Sequence, residues 1–548
     1  MLFSVRRYLG NDTVYHAHTG ALTLACPAAY ATDAAVALSA FLPSVAVLLG
    51  EGEATVTARP SDTLAEEGYV LTVRDGRATV EYRTYRGLVE GLAALSLLVK
   101  WEGETLLLPD VTVKEAPVAR HRGVMLDVAR GVMPMERMTE DVILAAKAGM
   151  NVLHLHLSDS RGVALELDSL PVEYRLSDPY TRDEITALLA LCRALGLEVI
   201  PEFDMPAHSR RLLDLFPQLA CDIDADYTSF WTVCGGNEEA YALYERIIAE
   251  LADWFPASKY LHIGGDEIEF RDIADKEKLP RFCHWEECRR CRALREREGL
   301  ADRQDQWYYF INRINAIVKK HGKRTVIWSD QIDCQRPKGI DGDVLLHFWR
   351  IAWPGRGPYE GCTMQKQLDM GYEMINSYFP RTYIDLEPYI SSANLSTWRW
   401  DEDPECREDT KGQILGSELA AWEYGNVSEY PHYAYSLPSG IFLMGEKLWS
   451  GEKRPYTEAD ERDLTRAVLG AACPEGLNVF RGIGDILPPR RNTPAYPEKV
   501  TLSDGELSAM AELLGSIELW DAGADARARV YRDSITYVLK ARAEAAKE

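Results

Sequence analysis

Between about residue 119 and residue 455 the chain carries eight short apolar runs spaced by amphipathic segments. That alternation constrains its fold more than any other feature. The runs are 123–126, 151–156, 197–200, 260–263, 325–328, 344–349, 373–375 and 413–415. Short apolar strands separated by helices form parallel sheets covered on both faces. Eight of them match a closed (β/α)₈ barrel, the TIM barrel, better than an open doubly wound sheet. The helical segments are punctuated to suit. Thr181-Arg-Asp-Glu184 is a capping box opening a helix that ends at Gly196, and Gly149 closes the helix before the second run.

The flanks differ in kind. Residues 1–118 predict a small α+β domain: 68–73 and 78–82 alternate in polarity around the turn signal Asp75-Gly76, and 87–99 carries apolar residues at helical spacing. Residues 456–548 are rich in Ala, Glu and Arg at helical spacing, notably 507–519 and 526–545, and predict a helical C-terminal region packed on the barrel. The fold class is therefore α/β, with a barrel over 119–455 between these two regions. The most apolar stretch, 34–50, is interrupted by Pro43 and bounded by Asp33 and Glu51, so it predicts a buried strand and helix rather than a membrane span.

Charge narrows the partners. Lys and Arg total 61 against 85 Asp and Glu, a net charge of −24 that repels phosphate backbones and anionic lipid headgroups. Neither nucleic acid nor a membrane surface is expected as a partner. The opening segment reaches Asn11 and Asp12 without the apolar run of a secretory signal, which points to the cytoplasm. Eleven cysteines, an odd number in a long chain, suit reduced thiols or a metal better than a disulfide framework.

In such a barrel the chemistry sits where the strands end at their C-terminal side. The residues there are Asp127; His156 and Asp159; Glu202, Asp204 and His208; Asp266 and Glu267; Trp328 and Asp330; Trp349; Tyr378, Tyr383 and Asp385; and Glu418, Trp422 and Glu423. Carboxylates and aromatics dominate, without a Gly-rich phosphate loop or a Ser-centred elbow. Sugar chemistry fits that inventory, because aromatic faces cover pyranose rings and a carboxylic acid protonates a leaving oxygen. The sharpest local signal is His262-Ile-Gly-Gly-Asp-Glu267, two glycines followed by two carboxylates that point in different directions at a strand end.

These residues resemble the β-N-acetylhexosaminidases of glycoside hydrolase family 20. The resemblance is carried by Arg122-Gly-Val-Met-Leu-Asp127, 150–159, 199–208, 262–267, Tyr383-Ile-Asp385 and 445–450, in the family's order over roughly 450 residues. It implies a substrate-assisted retaining mechanism, an exception to the two-carboxylate scheme. The sugar's 2-acetamido oxygen attacks the anomeric carbon and no cofactor takes part. Glu267 would be the general acid and then the base, its pKa held up by burial, and Asp266 would stay ionised to orient the acetamido N–H. Tyr383 would donate to the acetamido oxygen. Trp328, Trp349 and Trp422 would wall the acetamido pocket. Arg122 and Asp159 would hold hydroxyls of the terminal sugar with Glu423, and His208 and Asp385 complete the substrate-binding set. The implied partner is an oligosaccharide or glycoconjugate ending in N-acetylhexosamine.

Three departures from the family pattern bear on substrate preference. Ser160-Arg-Gly-Val-Ala164 lacks the family's aromatic and Arg, Trp422-Glu423 is one residue shorter than Trp-x-Glu, and Ala207 stands where Gly is commoner. A sulfated N-acetylglucosamine or a disaccharide unit is accordingly an alternative substrate, and a non-catalytic sugar-binding protein an alternative to the enzyme. A further competing reading is a metal-dependent hydrolase built on His154-Leu-His156. Separately, Cys283, Cys288 and Cys291 lie in the loop after the fourth run and Cys334 just after the fifth. Loops of adjacent strands are neighbours, so these four predict a structural zinc site beside Glu267.

Overall fold

The computed structural model describes residues 1–50, 52–223, 231–268, 283–336, 339–350, 362–385, 390, 392–425, 433–470, 473, 477–479, 502–515 and 522–547. The amino-terminal region forms a six-stranded mixed sheet backed by the helices Ala31–Phe41 and Tyr85–Leu98. Its centre is the expected hairpin. Tyr69–Arg74 pairs antiparallel with Arg77–Tyr82, and Asp75 and Gly76 take the positive φ values, 49° and 73°, that a two-residue hairpin turn requires. The apolar stretch at 34–50 is a buried helix followed by the strand Val47–Leu49. That strand lies at the sheet edge, so Leu48 and Leu49 are exposed rather than buried as the sequence suggested.

Eight parallel strands follow: β1 (His121–Asp127), β2 (Val152–His156), β3 (Glu198–Met205), β4 (Tyr260–Gly264), β5 (Arg324–Trp328), β6 (Leu345–Phe348), β7 (Met374–Asn376) and β8 (Ile414–Ala421). Each coincides with one of the apolar runs. Pairing runs in chain order and β1 closes against β8 in register His121↔Gly416, so the sheet is a barrel. Helices return the chain after β1, β2, β3 and β4 at Met135–Lys147, Arg182–Ala194, Glu238–Trp254 and Arg303–Lys320. Thr181 and Glu184 form the predicted reciprocal cap. The link from β5 to β6 differs, with no helix among its described residues.

The barrel interior holds a buried polar layer. Glu418 accepts from His121 at 2.7 Å and lies 2.9 Å from His154 Nδ1, while Glu202 lies 2.6 Å from His156 Nδ1, 3.1 Å from His154 Nε2 and 3.1 Å from His262 Nδ1. Buried carboxylates persist only when such partners replace water. Burial works against a charged His154, but the facing Glu418 and Glu202 outweigh it and lift its pKa to about 9. The two histidines that suggested a hydrolytic metal therefore have carboxylates against both ring nitrogens.

At the carboxyl end Glu458–Leu469, Asp504–Gly515 and Ala522–Ala545 are helical, and the last, with Tyr531, Ile535 and Val538 buried, packs on the other two and on Tyr433–Ser450. No helix among the described residues is long and apolar enough to cross a membrane.

Candidate active site

The chain leaves β4 through Gly264 and Gly265, at φ 67° and 90°. A Cβ on Gly264 would lie 1.8 Å from Asp204 Oδ1, so only glycine lets β3 and β4 deliver their carboxylates side by side. Asp266 and Glu267 follow. Asp266 is 7% exposed, and its Oδ1 has no hydrogen-bond partner among the described residues. Burial, reinforced by the negative charges of Asp204, Asp330 and Glu267, holds its carboxyl well above the ordinary range despite His208.

Glu267 points elsewhere. Its side chain is 39% exposed, its Oε2 lies 3.4 Å from His208 Nε2, and its backbone N–H donates to Asp330 at 3.3 Å. Burial pushes its carboxyl up, but the His208 hydrogen bond and charge, then Arg350 and Arg130, leave it below its ordinary value. The sequence had suggested the opposite. The cations that reverse the sign come from other loops and are invisible in the local motif.

A charged cluster closes one side. Arg130 donates to Asp127 at 2.9 Å and lies 2.8 Å from Asp159, with its guanidinium 5.1 Å from the Trp422 ring. Asp159 also lies 3.0 Å from His208 Nδ1, and the Glu423 backbone N–H donates to Asp127 at 2.8 Å. Burial opposes both charges. The attraction of Arg130 and His208 nevertheless holds Asp159 well below the usual carboxylate range, and Asp127, Asp159 and Glu423 keep Arg130 charged. Among the described residues His208, Glu267 and Glu423 are three of the five non-glycine residues with positive φ, at 52°, 50° and 61°. Backbone strain of this kind concentrates at functional sites.

Aromatic rings form the other walls. Trp328 is buried, donates its indole N–H to Glu202 at 2.7 Å and stacks on His347 at 4.0 Å. Trp422 lies 5.7 Å from Trp328 and 5.9 Å from Tyr383, and Tyr383 stacks on Trp349 at 6.3 Å and 11°. Tyr383 is placed by a two-residue strand, Tyr383–Ile384, that pairs with the end of β8. Burial, with the negative charges of Asp266 and Asp385 nearby, keeps its hydroxyl protonated well above its ordinary pKa. The Trp349 indole N–H, like Asp266 Oδ1, has no partner among the described residues. Arg350, which sequence reasoning missed, lies with its guanidinium 4.4 Å from the Trp349 ring and donates to Asp330 at 3.0 Å.

Arg122 is not in this site. It is the second residue of β1, five residues and about 16 Å of strand from the rim at Asp127. Fully buried at the opposite end, it donates to Gly149 O (2.6 Å), Ala119 O (2.8 Å), Glu67 (2.5 Å) and Glu90 (3.2 Å). Glu67 and Glu90 belong to the amino-terminal region, so Arg122 ties that region to the barrel floor. Arg130 occupies the place the sequence reading gave to Arg122. Replacing Arg122 by Met leaves Glu90 buried with one cation fewer and should cost about 3–5 kcal/mol of stability. Chemical denaturation would register that loss while kcat/KM of the folded fraction stays unchanged.

The cysteines also regroup. Cys288 and Cys291 converge with Cys221 and Cys234, not with the expected Cys283 and Cys334. Cys283 is buried outside the four, and Cys334 forms a disulfide with Cys362. Cys221 and Cys234 precede β4 by more than twenty-five residues, and no local spacing signals that they meet the Cys-x-x-Cys pair.

Comparison with known proteins accords with this geometry. A β-hexosaminidase of Vibrio furnissii is 27% identical over 414 residues, which are 68% of this chain and 63% of that protein, so the match leaves more than a third of the relative uncovered. A β-hexosaminidase of Akkermansia muciniphila is 31% identical over 443 residues, 73% of this chain and 84% of its own. In fold, the chain superposes on the GH20 exo β-N-acetylglucosaminidase of Vibrio harveyi with a TM-score of 0.68 at 21% identity, covering 84% of this chain and 75% of that one. Residues 120–452, the whole barrel, match the model of the glycosyl hydrolase family 20 catalytic domain, and the chain belongs to that family.

Proposed function

We propose that the protein is an exo-acting retaining β-N-acetylhexosaminidase that removes terminal β-linked GlcNAc or GalNAc through an oxazolinium intermediate. The observation that carries this reading is Asp266: a buried carboxylate with an oxygen that has no partner among the described residues, beside Glu267 and next to the rings of Trp328, Trp349, Trp422 and Tyr383. An acetamido group supplies what such a pocket lacks. Its N–H pairs with Asp266, its oxygen accepts from Tyr383, and its methyl packs against indole. As Glu267 gives its proton to the leaving oxygen, the acetamido oxygen closes on C1 from the other face and the glycosidic bond breaks. Water then opens the ring, giving its proton to Glu267, and two inversions leave the configuration retained. Arg130, with Asp159 and Glu423, is suited to the vicinal hydroxyls of a chain-end sugar, and the cluster closes one side of the site as exo action requires.

The scheme uses no cofactor.

A panel of aryl β-glycosides of GlcNAc, GalNAc, 6-sulfo-GlcNAc and glucose, briefly exposed to chelator or not, tests the assignment. Release from the 2-acetamido sugars alone, unchanged by chelator, is the expected result. Release from glucose contradicts the mechanism, and silence throughout favours a larger recognised unit or a binding protein. A second series isolates the nucleophile. Fluorinating the acetamido methyl one, two and three times drains its carbonyl oxygen, so kcat should fall stepwise, by more than about tenfold overall, a barrier increase of about 1.4 kcal/mol. A flat series means that the acetamido oxygen does not attack.

A further inference from the structure

We infer that Cys221, Cys234, Cys288 and Cys291 hold a structural zinc ion that fastens the loop after β3 to the loop after β4, on the catalytic face of the barrel. The four sulfur atoms lie within 4.8 Å of one another, with Cys234 Sγ at 3.6 Å from both Cys288 Sγ and Cys291 Sγ. Four thiolates at about 2.3 Å from a tetrahedral zinc are about 3.8 Å apart, so the observed edges are those of a tetrathiolate cage. They are far longer than the roughly 2.05 Å of a disulfide, and one sulfur equidistant from two others is not arranged to choose between them. All four residues are buried, at 6%, 0%, 0% and 0% exposure. A closed all-thiolate set leaves no open position for substrate, which makes the site structural, and soft ligands in this number select zinc or iron over magnesium or calcium.

The surrounding chain is shaped to bring these sulfurs together. Cys288 stands at the N-cap position of the helix Arg289–Glu298 and Cys291 sits in its first turn. Cys234 reaches them because Gly235 and Gly236 follow. A Cβ on Gly235 would lie 2.7 Å from the Trp285 ring, and one on Gly236 would lie 2.6 Å from the Arg290 carbonyl. The Asp222 backbone N–H donates to Cys288 Sγ at 3.3 Å, the kind of outer-shell bond that steadies a metal-bound thiolate. Arg289 grips the Asp222 carboxylate at 3.0 and 2.7 Å, and Arg290 donates to Gln218 O and Ala220 O. Two segments more than sixty residues apart are thus stitched around the four sulfurs.

The cage stands behind His208. The Val233 N–H donates to Pro206 O at 2.9 Å, and the Ser209 N–H donates to Trp231 O at 3.0 Å, so fixing Cys234 fixes the strip on which His208 rests. The His208 ring lies 4.6 Å from that of Trp231 and 3.4 Å from Glu267. The zinc would be a positioning device for the loop that carries His208, with no part in bond making.

Full-length protein purified without added metal or chelator should contain one zinc per chain by elemental mass spectrometry. A mercurial thiol reagent should release that zinc to an indicator dye as the thiols are titrated, and melting temperature should fall with the release. Cys221→Ser and Cys291→Ser should each reduce retained zinc to a small fraction. If those variants do not fold, the mercurial titration of the wild-type chain still decides the matter. Substoichiometric metal in folded protein overturns the proposal, as does a disulfide within the four found by peptide mapping, undiminished zinc in a Cys221→Ser/Cys234→Ser chain, or stoichiometric iron in place of zinc. Each readout is independent of glycosidase activity, so failure here leaves the proposed reaction untouched.

Discussion

The Glu267→Gln variant is expected to lose about 10²–10⁴ in turnover of a substrate with an alkoxide leaving group. Glutamine keeps the volume and can still face His208, 3.4 Å from the present carboxylate, but it has no proton to give. The loss should shrink as the leaving group becomes more acidic. A nitrophenolate departs without protonation, which leaves the second step, attack by water without a base, as the slow one. A small anionic nucleophile such as azide, which needs no deprotonation, should then restore turnover. A loss that is uniform across leaving groups and unmoved by azide would instead assign Glu267 a structural role.

The same residue dictates a pH dependence. In the proposed reaction its acid form is the reactive one, and in the free site the charges of His208, Arg350 and Arg130 hold it below its ordinary 4.5. The fraction protonated at neutral pH is therefore small and grows tenfold for each unit of acidification. The pH profile of kcat/KM should carry one limb that rises on acidification and vanishes in Glu267→Gln, opposed by a second limb that falls as Asp266, its carboxyl held well above the ordinary range, takes up a proton. Because the two carboxylates interact, the limbs of the profile belong to the pair rather than to either residue.

The barrel was legible because its signal is periodic. Each apolar run falls on a strand of β1 to β8, and the glycines at 149 and 196 end the helices where they should. The strand-end rule also gathers one rim: Asp159, Asp266, Glu267, Trp328 and Trp422 all follow or close a strand at the same end of the barrel. Arg122 shows what happens when a motif overrides that rule. It is the second residue of β1, and a strand end can only be served by residues near or past Asp127, which is where Arg130 lies. Arg350 and the pairing of Cys221 and Cys234 with Cys288 and Cys291 were not legible at all. They depend on how separate loops fold over one another, and loop geometry has no period to read.

Strain at the rim follows from the same crowding. His208, Glu267 and Glu423 all adopt left-handed backbone, and each contributes to the network that joins Glu267, His208, Asp159, Arg130 and Asp127. Opposite charges face one another across that network, so weakening one cation is expected to loosen Glu267 as well as Asp159 and Asp127.

Asp266 sets function against stability most directly. Its carboxyl is buried among Asp204, Asp330 and Glu267, and its pKa in the folded protein stands well above 3.8. Between that ordinary value and the raised one the folded state binds more protons than the unfolded chain, so unfolding free energy falls as pH rises through the window. Above it the ionised Asp266 is a standing cost to the fold. Asn at this position removes the charge, and the variant should melt at a higher temperature than the wild-type protein at pH 8, with the advantage shrinking toward pH 4. Activity should move the other way. In the proposed reaction an anionic Asp266 stabilises the developing oxazolinium positive charge, and an amide can neither match that charge nor accept as strongly from the acetamido N–H. A loss of about 10²–10³ in kcat is expected, as for removal of one preorganised electrostatic partner of a transition state. Thermal melts and kcat measured across the same pH range on both proteins decide it. A variant that is slower but no more stable at high pH means that Asp266 is not ionised in the free enzyme, and one that is more stable yet fully active means that its charge is not used in the reaction.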